Sequence, residues 1–175
     1  VGPVTDQDRW EEDRGINAFT LSVCIAALVA GAQFLESDEQ HLALDVADDW
    51  NARVESWLYV TNTPLAQQQG VTGYYVRVAP PDVLRDRAAL DAVLPIKNEA
   101  TDRALSAAAQ VSVDFLQLVR FGLRAANDPR VRDSIVVADA LLRVDTPSGP
   151  SWHRYNGDGY GEHADGREFD GTGVG

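Results

Sequence analysis

The chain's strongest constraint is one pattern used twice: a run that is apolar on nearly every side, followed by a run that is apolar on one side only. Residues 18–35 are dominated by Ala, Leu and Val, interrupted by Ser22 and Gln33. A helix of that composition needs most of its surface covered, so it reads as an inner helix. Residues 38–59 place Leu42, Val46, Trp50, Val54, Trp57 and Leu58 at helical spacing among many charges, the signature of an outer helix with one solvated face. The theme returns at 111–126, where Val113, Phe115, Leu116, Leu118, Val119, Phe121 and Leu123 predict a second inner helix. Asn127-Asp128-Pro129 then supplies a turn and helix start, and Val131, Ile135, Val136, Leu141 and Leu142 share one face of a second outer helix. Inner then outer, repeated, is what stacked helical hairpins or an α/α barrel require. A plain helical bundle satisfies the same pattern.

The connections are informative. Pro64 and Gln69-Gly70 close the first unit, residues 73–78 alternate like a short strand, and Pro80-Pro81 stop it. From there to Gln110 the expectation is an elaborated connection with short helical pieces. Residues 145–175 are rich in Gly, Asp and aromatics and lack any period, which predicts a long loop, functional in character given Trp152, Tyr155 and Tyr160.

Composition excludes several function classes. An apolar content of 45% provides for a packed core. A formal charge of -12, spread along the chain, repels polyanions, so nucleic acid is not an expected partner. The most hydrophobic run, Leu21 to Leu35, interrupted by Ser22 and Gln33, falls short of the roughly 20 residues a membrane span needs, so no membrane partner is expected either. Cys24, the only cysteine, lies in an apolar run and reads as a structural thiol. No methionine occurs and no basic leader precedes the apolar run, so the chain is read as an internal piece of a longer protein, with its localisation open. His41, His153 and His163 have no metal-ligand spacing with one another or with Cys24, and no glycine-rich phosphate loop opens a helix. Neither a metal nor another cofactor is expected. Ser148 and Ser151 lie near His153, but without a G-x-S-x-G elbow they make no nucleophile.

Two constellations carry potential chemistry. Asp8-Arg9-Trp10-Glu11-Glu12 lies directly before the first inner helix. Cleaving a glycosidic bond needs a carboxylic acid that keeps its proton near neutral pH, a state favoured by an aromatic wall and a neighbouring carboxylate; Glu11 stands between Trp10 and Glu12. The same acids, with Asp13, also suit the positive end of a helix dipole. The second constellation, Trp152-His153-Arg154-Tyr155-Asn156-Gly157-Asp158-Gly159-Tyr160-Gly161-Glu162, alternates aromatics with hydrogen-bonding groups. Sugars bind such surfaces, because ring C–H faces favour aromatics and hydroxyls favour polar partners. An EF-hand fails here, since counting from Asn156 the fifth position is Tyr160 and the twelfth is Arg167. An irregular calcium loop, or a glycine-rich loop closed by packed aromatics, remains an alternative.

Taken together, these segments resemble glycoside hydrolase family 15, the glucoamylases and bacterial glucodextranases. Asp8-Arg9-Trp10-Glu11-Glu12 is similar to the family's acid segment. The stretch Val113-Asp114-Phe115-Leu116-Gln117-Leu118-Val119-Arg120, and the run from Asp145-Thr146-Pro147 through Trp152-His153-Arg154-Tyr155-Asn156-Gly157-Asp158-Gly159-Tyr160-Gly161, are similar to the bacterial branch. The resemblance spans almost the whole chain. It implies an all-α fold, a partial (α/α)6 barrel with long functional loops and a short β insertion, residues 1–175 forming part of one catalytic domain and no second domain. It further implies an exo-acting hydrolase that releases glucose from the non-reducing ends of starch-, maltooligosaccharide- or dextran-like α-glucans with inversion. Glu11 is then the general acid, Asp8, Trp10 and Glu12 shape the pocket around it, and Arg154, Tyr155 and Asp158 hold the terminal glucosyl unit. The general base belongs to a later segment, and the remainder of the same polypeptide completes the barrel, so the piece alone is expected to be inactive. Two rival readings are a trehalose hydrolase of the same broad family and a non-catalytic carbohydrate-binding or helical interaction module.

Overall fold

The computed structural model describes residues 3–96 and 104–159. Helix α1, Ala18–Ala32, starts where the Asn17 side chain accepts the Thr20 amide at 2.8 Å, satisfying a donor that the first turn would otherwise leave without a partner. A short connection turns the chain back into α2, Ser37–Leu58, whose first turn carries Asp38 and Glu39 at the positive end of the helix. The two helices pack against each other, burying Leu21 and Ile25 of α1 and Ala43, Ala47 and Val54 of α2. The expected inner and outer helices therefore both form. The inner one is covered on one face only: Val23 is 37% and Val29 52% exposed, against 1% for Leu21 and Ile25.

The predicted strand at 73–78 is two strands with a break between them. β1 is Ile16–Asn17, β2 Tyr59–Thr61, β3 Gly73–Tyr75 and β4 Val78–Ala79; β3 pairs antiparallel with β2, and β4 with β1. At the break the Val76 amide donates to Leu58 O and the Arg77 amide to Gln110 O, each at 2.8 Å. Arg77 thus leaves the ladder and faces a different part of the molecule. Between β2 and β3 lies α3, Pro64–Gln69, capped by Thr63 and ended by Gly70 in the left-handed region. Single 3₁₀ turns at Pro81–Leu84, Arg87–Asp91 and Ala107–Ala109 supply the short helical pieces expected of the connection.

The second inner helix is much shorter than its apolar pattern predicts. Of residues 111–126 only α4, Leu116–Arg120, is helical. The reason is tertiary. The Val111 amide donates to Asn156 Oδ1 at 2.6 Å, the Asn156 amide returns to Val111 O at 3.2 Å, and Ser112 bridges to Tyr155. These pairings use the backbone groups that helical residues would have spent on themselves. At the other end Gly122, at φ 73°, stops the turn. α4 nevertheless packs beside α1, where an inner helix belongs. α5, Pro129–Leu142, starts at Asp128, which accepts the Arg130 amide at 2.8 Å, and packs on β3. The segment after it, read as loop from residue 145, begins instead as an antiparallel hairpin of β5, Arg143–Thr146, and β6, Gly149–Trp152. Tyr160, Gly161 and Glu162 of the second constellation, and His163 after it, lie outside the described residues.

Tyr74, Tyr75, Phe115, Leu118 and Leu142 centre the core at 2% exposure or less, each such side chain contributing roughly 1.5–3 kcal/mol by leaving water. Tyr75 meets Tyr59 edge-on at 5.1 Å and stacks on Phe115 at 5.9 Å. Arg124 holds Glu55 by two hydrogen bonds of 2.6 and 2.7 Å, tying the chain beyond α4 to α2. No helix among the described residues is long and apolar enough to cross a membrane.

Candidate active site

Residues 8–13 form a tight loop leading into β1, wound around the carboxylate of Asp8. Asp8 Oδ1 accepts the amides of Trp10 at 2.9 Å and Glu12 at 3.2 Å, while the Asp8 carbonyl accepts the Glu11 amide at 3.1 Å. This winding forces Glu11 to φ 62°, a left-handed conformation that costs a non-glycine residue roughly 1–3 kcal/mol and persists only where the surroundings over-determine it. The loop also sorts its carboxylates. Asp8 and Glu12 are buried, at 5% and 7% exposure, whereas Glu11 is exposed at the tip.

Beneath the loop lies Arg77, wholly buried. Its Nη1 donates to Asp8 Oδ2 at 2.9 Å and Glu12 Oε2 at 3.3 Å, its Nη2 to the Asp13 carboxylate, and its Nε to Gln110 Oε1 at 3.0 Å. Gln110 passes the network on by donating to Leu94 O at 2.6 Å. A charge taken this far from water is tolerated only with such compensation, and removing a partner of a buried pair typically costs about 3–5 kcal/mol.

The second constellation meets the first at this point. The Tyr155 ring lies 4.5 Å beneath the Arg77 guanidinium, and its hydroxyl donates to Glu12 Oε1. Burial first, then the hydrogen bond to Glu12 and the nearby charge of Asp158, push the Tyr155 phenol well above its ordinary range, so it remains a donor at any physiological pH. Arg154 grips Asp158 through Nε and Nη2, both at 2.6 Å, and its guanidinium lies 5.1 Å from the Trp10 ring. The bidentate bond to Asp158 comes first among the causes that raise the Arg154 pKa, so this cation is permanent. Trp10 also meets Arg9, at 4.3 Å, and Arg9 pairs with Asp114 at 3.3 Å. Burial outweighs that pairing and raises the Asp114 pKa.

All seven residues singled out in the sequence, Asp8, Trp10, Glu11, Glu12, Arg154, Tyr155 and Asp158, thus gather at one place. They differ in access: Glu11 is exposed, Trp10 and Arg154 are half-buried, and Asp8, Glu12, Tyr155 and Asp158 are buried. Sequence reasoning passed over Arg77 and Gln110. The signal for Arg77 was present, because a lone guanidinium between Val76 and Val78 in an apolar segment demands buried partners. Gln110 had no comparable signal. Among the described residues no group of three or more His, Cys, Asp or Glu side chains is arranged to hold a metal ion.

The family model for glycosyl hydrolases family 15 matches residues 2–169. A glucoamylase of Clostridium sp. (strain G0005) is 34% identical across the whole of this chain, which covers 24% of that relative. The crystal structure of a bacterial glucoamylase complexed with acarbose superposes with a TM-score of 0.74 at 34% identity, covering 100% of this chain and 25% of the other. The chain therefore spans about a quarter of the length of these relatives, and the all-α, partial (α/α)6-barrel fold is the one it shares with the solved glucoamylase. With 168 consecutive positions, residues 2–169, matched by one family model and the same fold in a solved relative, the chain belongs to glycosyl hydrolases family 15.

Proposed function

We propose that this chain carries the general-acid half of an exo-acting α-glucan hydrolase that releases glucose from non-reducing ends with inversion. The observation that carries the reading is the strained, exposed Glu11 at the tip of a loop in which Asp8 and Glu12 are buried. Strain on a carboxyl-bearing residue, next in sequence to an indole that lies against a permanent cation, is how enzymes hold a reacting group ready. In the proposed step Glu11 gives its proton to the glycosidic oxygen as the C1–O bond breaks, and water attacks C1 from the opposite face. A carboxylate elsewhere in the same polypeptide takes the water's proton, roughly 6.5–9.5 Å from Glu11 as inversion requires. Trp10 and Arg154, both half-buried, contact the sugar. Tyr155 and Asp158 hold it through Arg154 and the wall they form with it, and Asp8 and Glu12 fix the loop. The relative's complex with acarbose supports an oligosaccharide ligand. We propose further that residues 1–175 belong to one catalytic domain, completed by the remainder of the same polypeptide.

The test is Glu11→Gln in the intact polypeptide, assayed on maltooligosaccharides and dextran. A loss in kcat of about 100-fold or more is expected for a general acid. Turnover close to that of the unsubstituted protein would end the assignment.

A further inference from the structure

We infer that Arg77 is a positioning residue for the acid: a buried strut that sets the direction of Glu11 and locks the acid loop to the tyrosine-bearing ribbon in one register. The inference rests on the reading of Glu11 given above.

Three of the carboxylates surrounding Glu11 in sequence, Asp8, Glu12 and Asp13, converge on one guanidinium. Without it they would repel one another across a space with little water, and the loop would open. The left-handed Glu11 backbone depends on that loop, since the Asp8 oxygen that accepts the Trp10 and Glu12 amides belongs to the same carboxylate that Arg77 holds. Arg77 is fixed from behind by both its amide and its Nε on Gln110. From the other side it is fixed by the Tyr155 ring, whose hydroxyl returns to Glu12. The geometry is specific to arginine. Three nitrogens in a plane reach four partners, and a lysine, with a single nitrogen at the end of a flexible stem, can match the charge but not the fork.

A misdirected acid leaves a distinctive kinetic trace. Departure of a sugar alkoxide needs the acid's proton, while departure of fluoride needs it far less. A residue that acts by aiming Glu11 is therefore needed for one leaving group and dispensable for the other. A residue that merely supports the fold is needed equally for both.

The experiment compares Arg77→Lys, Asp13→Asn and Glu11→Gln in the intact polypeptide on maltooligosaccharides and on α-glucosyl fluoride. Arg77→Lys is expected to lower kcat on maltooligosaccharides about 10- to 100-fold, with KM within about 2-fold and turnover of the fluoride within about 3-fold. Equal losses on the two substrates, or an unchanged kcat on both, overturn the inference. Should Arg77→Lys fail to fold, as judged by circular dichroism, Asp13→Asn decides. It removes the negative charge that faces Nη2 at the loop's edge while leaving an amide in its place, and a selective loss of about 5-fold on maltooligosaccharides is expected; no selective loss overturns the inference. Glu11→Gln separates the two claims. If it is selectively defective while the Arg77 and Asp13 variants are not, the positioning role alone fails. If Glu11→Gln cleaves maltooligosaccharides normally, the reading beneath it fails as well.

Discussion

At the scale of the residue, this molecule treats its charges in two ways, and the difference follows from geometry. Glu55 is half-buried, and although burial works against its charge, the two bonds from Arg124 and the Tyr75 hydroxyl outweigh that and hold its carboxyl below the ordinary value of 4.5. A depressed carboxylate contributes stability that is fully present above the unfolded pKa and lost as pH falls through the folded one. Glu55→Gln is accordingly expected to be less stable than the unsubstituted protein at neutral pH, with the difference shrinking as pH drops below about 4.5. Urea unfolding across that range checks it, and a difference independent of pH would contradict it. The Arg77 cluster works differently, since Arg77, Asp8 and Glu12 are buried and serve to fix directions. Asp8, Glu11 and Glu12 were legible as site residues because acids next to a tryptophan are conspicuous. Their division into one exposed tip and two buried supports was not, because it depends on an arginine 65 and 69 positions away from two of them.

At the scale of the element, local signals and long-range pairing divided the outcome. α1, α2 and α5 follow their apolar periods and their caps at Asn17 and Asp128, since each buries a stripe that its own residues define. α4 does not, because the backbone at 111–112 pairs with residues 155–156 and the apolar side chains are buried without a long helix. The break between β3 and β4 has the same origin in Arg77. Close approach of backbones matters here as well. A Cβ on Gly15 would lie 2.3 Å from Ala79 O and 2.6 Å from Val78 Cγ1, so the seam that carries the acid loop into β1 admits no side chain. Gly15→Ala is expected to cost about 1–3 kcal/mol through forced separation of β1 from β4. Denaturant titration of the intact polypeptide measures it, and a change below about 0.5 kcal/mol would show that the seam yields freely.

At the scale of the whole molecule, the apolar surface left open along α1, α2 and the turn between them is the dominant feature. Val29 is 52%, Leu42 65% and Phe34 82% exposed, and an apolar groove of about 410 Å³ runs between α1 and α2, lined by Cys24, Leu28, Leu35 and Trp50. Contiguous apolar surface of this kind drives association in water. Residues 1–175 produced alone are therefore expected to aggregate, or to bind a hydrophobic dye and unfold without a sharp transition. A soluble monomer with cooperative thermal unfolding would contradict this.

The sequence by itself determined the alternation of inner and outer helices, where α1, α2 and α5 begin, and the two segments that build the site. Each of these is written in the spacing of apolar residues or in chemistry between near neighbours. Only the tertiary structure decided that α4 is a single turn, that Arg77 is the hub of the acid loop, and that Tyr155 faces Glu12 from 143 positions away. Hydrogen bonds and ion pairs between distant segments have no period, and a buried charge chooses its partners only after the helices and strands that carry them have packed.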